Sequence, residues 1–275
     1  MQEKVFHVYR NTPIGRETLM QAIDLCKKSS ADLYIYSPQH DRFMIYFDAD
    51  AVEVHLDQSY LHSPGTQKNN LDSILEAQRF VAKNVYSSTK TGSTLPDIST
   101  NFDLINLPKI MTELKKGLTG SNIGPGVRRL IKASHAPALI SPNRFVDWSS
   151  IHLFFGGSRH AEKALRWALL LSRESKKPLH LTTLLEKKNE SFYRDKIKKM
   201  NILPGRIASW TFWEQDSLFD ALFKVERDQL IVMGAYGKSG LKKRLLGGTT
   251  EMVLRNSANP LLLVGENCSE PQLED

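Results

Sequence analysis

From residue 151 onward, short apolar runs alternate with stretches whose apolar residues recur at helical spacing, and that alternation constrains the fold more than any other feature of the chain. The spacing predicts strand 151–155, helix 160–175, strand 179–185, helix 191–200, strand 207–213, helix 216–227, strand 229–233, a loop, helix 249–257 and strand 261–264. Short apolar strands separated by helices belong in a parallel sheet covered on both faces, with right-handed crossovers. The expected class is α/β, doubly wound, with strand order 3-2-1-4-5. That order sets the ends of the first and fourth strands side by side, at the switch point where open α/β sheets bind ligands.

The first half of the chain repeats the second in pattern. Val5–Thr12 falls under Ile151–Ser158 at an offset of 146, and Leu19, Ala22, Leu25 and Ser29 then fall under Leu165, Ala168, Leu171 and Ser175. Gly124, Ser134, Pro137 and Leu139 fall under Gly247, Ser257, Pro260 and Leu262 at an offset of 123. The drop of 23 places extra residues in the middle of the first copy, and the Ser/Thr-rich stretch Asn84 to Asn101 is the expected position, as a surface loop. The expected organisation is a first domain over 1–142, a second over 148–265 and a polar tail over 266–275.

Residues 231–250 run from an apolar strand through a loop with glycines at 234, 237 and 247 into a helix start. Such glycines let backbone N–H groups approach a ligand closely, and the helix adds its positive dipole end. The spacing of Gly234, Gly237 and Gly247 resembles the G-x2-G-x9-G-[ST] signature of the universal stress protein family. Phe154–Ala168 is similar to that family's opening strand, turn and first helix.

The resemblance implies two flavodoxin-like or Rossmann-like units in tandem, packed as a pseudo-dimer through Pro137–Ser141 and Pro260–Val264. It implies ATP or another adenine nucleotide held by Gly156, Gly157, Ser158, Met233, Gly234, Gly237, Gly247, Gly248, Thr249 and Thr250, with Mg2+ only alongside a triphosphate. Two residues depart from the family pattern. Gly156 replaces the Asp that helps hold adenine, and Gly248 stands where the family has Ser or Thr. Gly248-Thr-Thr-Glu251 therefore keeps only the Glu half of a capping box, at a cost of about a few tenths of a kcal/mol. In the first copy Pro108-Lys109 follows the strand 103–107 where the first loop glycine would stand, and proline supplies no N–H. No nucleotide is expected there. Gly117–Gly126 reads as a flexible turn into a helix at Val127 or as an anion nest.

At 275 residues, 41% hydrophobic and 24% charged, the chain fits a globular protein of two domains. No apolar run is long enough to span a bilayer and the first residues lack a secretory core, so a cytoplasmic protein is expected. Cys26 and Cys268 are the only cysteines and read as reduced structural thiols. The net charge of +7 favours anionic partners without choosing among them. A P-loop ending at Gly237-Lys238-Ser239 would need glycine at 232, which is Val232.

Other groupings are read as structural. Glu53, His55 and Asp57 share a solvated strand face rather than hold a metal, and Asp48-Ala-Asp50 is a turn between strands. Ser158 and His160 have no orienting acid, so no catalytic residue is assigned. Lys187, Lys188, Lys196, Lys198, Lys199 and Lys242–Arg244 are solvated faces, and Trp210, Phe212 and Trp213 sit at a buried strand, so nucleic acid is not an expected partner. The resulting expectation is a stress-response protein that binds a nucleotide in its C-terminal domain and acts on protein partners, with homodimerisation open. The alternative is a ligand-free interaction scaffold; slow ATP hydrolysis would be a third, without an identified general base.

Overall fold

The computed structural model describes residues 3–47, 50–56, 63–88, 94–99, 101–109, 124–185, 188–202, 205–214, 217–235 and 248–271. In chain order these form β1 (Lys4–Val8), α1 (Pro13–Ser29), β2 (Asp32–Tyr36), β3 (Arg42–Phe47), β4 (Asp50–His55), α2 (Pro64–Ala77), β5 (Lys83–Asn84), β6 (Asp97–Ser99), β7 (Leu104–Pro108), α3 (Pro125–Ala133) and β8 (Ala138–Ser141). The second half continues with β9 (Ser150–Phe154), α4 (Arg159–Ser175), β10 (Leu179–Leu184), α5 (Glu190–Lys199), β11 (Ser209–Trp213), α6 (Leu218–Phe223), β12 (Gln229–Gly234), α7 (Thr249–Asn256) and β13 (Leu261–Val264). Among the described residues no helix is long and apolar enough to cross a membrane.

Helices α1 and α4 start and stop by the same chemistry. Thr12 Oγ1 accepts the Gly15 N–H at 2.9 Å, and Ser158 Oγ accepts the Ala161 N–H at 3.2 Å. Each cap contributes about 1 kcal/mol by satisfying an orphan donor. Both helices run 17 residues and end on a left-handed residue, Ser30 or Lys176.

One ten-stranded sheet runs β11-β10-β9-β12-β13-β8-β7-β1-β2-β5. Within each half neighbouring strands pair in parallel, and the halves join through β13 and β8, which pair antiparallel. At that junction Leu262 faces Leu139, flanked by Leu261 against Ile140 and Leu263 against Ala138. Leu139 and Leu262 are also the residues that the 123-residue offset superimposes, so equivalent positions meet, as at a two-fold contact. All six side chains are buried, which removes two apolar edges that would otherwise invite strand pairing between molecules.

Two apolar layers cover the sheet. On one face α1, α4 and α5 pack Leu19, Ile23, Leu165, Trp167 and Tyr193 against Val5, Ile151 and Leu181. On the other, α3, α6 and α7 pack Val127, Leu130, Ala221, Val253 and Leu254 against Ile105, Ile231 and Leu263. The segment between the halves lies along α1. Glu17 accepts the Phe145 N–H at 2.6 Å, Gln21 exchanges two hydrogen bonds with Val146, and Lys28 pairs with Asp147 while its ammonium sits 4.5 Å from the Trp148 ring centroid.

The extra residues of the first half do not lie within 84–101. Val5 and Tyr34 occupy the register positions of Ile151 and His180, at the 146 offset, whereas Lys83 occupies that of Ser209, at an offset of 126. Leu104 and Leu230 keep the 126 offset. Twenty of the extra residues therefore enter between β2 and α2, as the hairpin of β3 and β4. With β6 the hairpin forms a second sheet, β4-β3-β6, and buries Phe43, Ile45, Phe47, Val52, Val54 and Ile98 against the face that α6 helps cover in the other half.

Two further expectations change. Strand β11 is the outermost strand of the large sheet, and Ser209 and Thr211 are exposed while Trp210, Phe212 and Trp213 are half-buried. The tail is docked as far as it is described. Lys163 Nζ donates to the carbonyls of Glu266 and Cys268, Trp167 Nε1 donates to Ser269 O, and Ser269 N donates to His135 O. Cys268 and Cys26 are both free and buried, and burial pushes both thiols up, Cys268 to about 11.

Candidate functional site

The register of β9 and β12 assembles the C-terminal site. Met233 lies beside Phe154, so the turn at 155–158 and the chain leaving β12 emerge together at the carboxyl edge of the sheet. Phe155 N donates to Thr182 O and Ala235 N to Val264 O, which fixes both exits. Gly157 has φ of 65°, and a Cβ there would meet the Tyr193 ring at 3.1 Å, so a left-handed glycine lets α5 close over the turn. Gly156 and Gly248 face open space, with no atom within 4 Å of an added Cβ.

Gly234 has a different role from the one its spacing suggests. A Cβ on it would stand 2.8 Å from the His160 carbonyl carbon and Cβ and 3.0 Å from Ala161 N. Its missing side chain is the room into which the start of α4 packs. Ser158 Oγ is engaged as the α4 cap, and Met233 is buried. Gly248 starts α7 in extended conformation with no side-chain cap; Thr249 is exposed and Thr250 is buried. Gly237, Gly247 and Lys242–Arg244 lie outside the described residues. The site residues that the structure brings together are therefore Gly156, Gly157, Ser158, Met233 and Gly234, with Gly248–Thr250 heading the adjacent α7.

Around this edge two cations of α5 are paired, and a third precedes the helix. Lys196 bonds Glu162 in the first turn of α4, Arg194 pairs with Glu190 and stacks over Trp210 and Phe212, and Lys188 lies 3.9 Å from the Phe192 ring centroid. Lys187 lies outside the described residues. Elsewhere Glu53 accepts from Arg42 and pairs with His55, a cross-strand cluster on an open face; Asp57, Asp48 and Ala49 fall outside the described residues, between or beyond the paired strands β3 and β4. Glu53 is held below the usual carboxylate range by its hydrogen bond to Arg42.

The corresponding edge of the first half is filled. Pro108 pairs with Ser141 as Gly234 pairs with Val264, so a ring without N–H stands at the position of the first loop glycine. The turn Tyr9–Thr12 is buried, and Arg16 donates twice to Asn11 Oδ1 across it. Beneath it the N–H2 of Asn106 lies 3.2 Å from His7 Nδ1 and donates to Thr18 O, while Ser141 Oγ donates to Asn106 Oδ1. Burial lowers His7 to about 4. The glycine-rich stretch ahead of α3 lies outside the described residues up to 123; Gly124 is the helix cap and α3 begins at Pro125 rather than Val127.

A model of the universal stress protein family matches residues 226–265, the stretch holding β12, the glycine loop, α7 and β13. The chain is 26% identical over 208 residues to universal stress protein Slr1230 of Synechocystis sp. (strain ATCC 27184 / PCC 6803 / Kazusa), covering 72% of this chain and 69% of that one. By these matches the chain is similar to the universal stress protein family. Its fold agrees with solved members. A universal stress protein from Archaeoglobus fulgidus DSM 4304 superposes with a TM-score of 0.60 at 14% identity, covering 98% of both chains. A putative universal stress protein from Pseudomonas aeruginosa UCBPP-PA14 gives 0.55 at 12% identity, covering 96% of this chain and 93% of that one. At such identities the likeness is one of fold, and function rests on this chain's own residues.

What sequence reasoning missed is the contact between the halves around α7. Arg128 of α3 donates to Glu251 of α7 at 2.6 Å, and Lys109 donates to the Ser257 carbonyl at the other end of α7 at 2.5 Å. Arg128 and Glu251 lie at the same 123-residue offset as Leu139 and Leu262. Spacing in the sequence carries a hint of that pair; nothing local marks Lys109.

Proposed function

We propose that this chain is a stress protein of the family it resembles, that it binds an adenine nucleotide, ATP or a relative, in its C-terminal half, and that it acts as a cytoplasmic stress-response module that protein partners read. The two halves work as a tandem, internally paired unit. The observation that carries the reading is the carboxyl edge where the Gly156–Ser158 turn meets the exit of β12, with Gly156 facing open space and α7 starting on an uncapped glycine. A helix start without a side-chain cap suits an anion, which can supply the missing acceptor. Binding would be read by partners to the extent that affinity differs between arrangements of the protein. Mg2+ enters only with a triphosphate. Among the described residues no side chain at this edge is assigned as a general base, and the role proposed is binding.

Mass spectrometry of small molecules carried through native purification should find an adenine nucleotide, and thermal-shift titration with ATP, ADP and AMP should raise the melting temperature. Gly237→Val should abolish that shift while the unliganded chain melts as before. An unaltered shift would remove the glycine loop from the site. Gly156→Asp meets no neighbour and should restore a side-chain acceptor for the base, tightening ATP about tenfold relative to GTP with little change in stability. Equal ATP and GTP affinities in that variant would place the base elsewhere.

A second reading has its own observation. Phe219 and Phe223 meet edge-to-face on α6 with ring centroids 4.6 Å apart, and are 44% and 66% exposed. Exposed paired aromatics suit a scaffold that docks protein partners without a nucleotide. Native purification that yields protein free of nucleotide, with no thermal response, would favour it.

A further inference from the structure

Helix α7 is held at both ends by cations from the other half of the chain. At its first turn Arg128 donates to Glu251, and at its last the Lys109 ammonium meets the Ser257 carbonyl, where the helix dipole is negative. Glu251 is the third residue of α7, the place from which a capping-box carboxylate would reach back to the cap residue. Gly248 offers no hydroxyl to complete that box, and the Glu251 carboxylate accepts from Arg128. The pair is asymmetric in exposure, with Glu251 15% and Arg128 41% exposed, so the carboxylate is the more enclosed partner.

An unneutralised carboxylate in the first turn would repel an anion at the same helix end, within the distance over which charges at a protein surface act. We propose that Arg128 is a positioning residue for the C-terminal site: by neutralising Glu251 it sets the charge that a bound phosphate meets, and with Lys109 it fixes α7 from the N-terminal half. The inference rests on the nucleotide reading above. It gives the N-terminal half, whose own turn is filled by Pro108, Tyr9 and Arg10, a part in the remaining site. Ligand binding and the contact between halves thereby share one ion pair, and what strengthens one acts on the other.

The test uses the full chain and three ligands of decreasing charge, ATP, AMP and adenosine, titrated by calorimetry at low salt. Arg128→Ala should weaken ATP about tenfold and AMP about threefold, and leave adenosine within about twofold. Arg128→Ala with Glu251→Gln should recover ATP affinity, because the repelling charge is gone. Glu251→Gln alone should tighten ATP, which keeps the idea open to refutation if the Arg128 variant folds poorly. Unchanged ATP affinity in Arg128→Ala, or an equal loss for adenosine and ATP, overturns the positioning role while leaving the nucleotide reading intact. Wild-type chain that binds none of the three overturns the nucleotide reading and this inference with it.

Discussion

Between pH 6.5 and about 4 the folded chain is expected to lose about 3 kcal/mol of stability through His7 alone. The imidazole is wholly buried between β1, β7 and α1, and its desolvation lowers the folded-state value from 6.5 to about 4. The sign follows from proton counting. As pH falls below 6.5 the unfolded chain takes up a proton that the folded chain refuses, so the unfolded state gains. The contribution is complete above 6.5 and is lost progressively down to about 4. His152 on β9 acts in the same direction, lowered to about 4 by burial and then by the charge of His180. Urea denaturation at half-unit steps between pH 7 and 4 measures the slope. His7→Leu, which places the residue found at the matching position 153, should flatten it; a slope that survives in that variant would assign the acid sensitivity to other groups.

Gly234→Ala is expected to destabilise the chain by about 1–3 kcal/mol, by overpacking rather than by strain in φ. The new methyl would fall at 2.8 Å from backbone and Cβ of His160, inside any carbon contact, and a helix end cannot retreat as a flexible side chain can. Either α4 shifts off β12 or the strand end moves, and both disturb the proposed nucleotide edge. Ligand affinity should therefore fall together with melting temperature. Gly156→Ala is the internal control, because its methyl meets nothing within 4 Å. Equal melting temperatures for wild type, Gly156→Ala and Gly234→Ala would contradict the packing described here.

Much of the architecture is legible in particular residues. Thr12 and Ser158 mark equivalent helix starts, and the apolar runs at 138–141 and 261–264 announce two strands that need cover. The hairpin insertion was legible in principle: Phe43, Ile45 and Phe47 alternate with polar or half-exposed neighbours, as do Val52 and Val54. The Ser/Thr-rich stretch near residue 90 drew the expected insertion because polar segments tolerate length, but length can equally be added as a hairpin that buries its own inner face. Edge position was less visible. Ser209–Trp213 has the composition of a buried strand, and only the pairing of the whole sheet puts it outermost, with Trp210 and Phe212 covered by α5 and Arg194.

The candidate site divides the same way. Glycine spacing marks the segment, because backbone approach and helix starts depend on residues close in sequence. It does not say which glycine faces a ligand and which makes room for a helix, since Gly234 is defined by His160, more than seventy positions away. By itself the sequence determined the repeating strand–helix grammar, the caps and the turn chemistry, all set by local dihedral and hydrogen-bonding preferences. Tertiary structure alone decided the hold of Lys109 on α7, the packing of α4 against Gly234 and the burial of His7. Those depend on which distant surfaces exclude water from one another, and no local spacing encodes that.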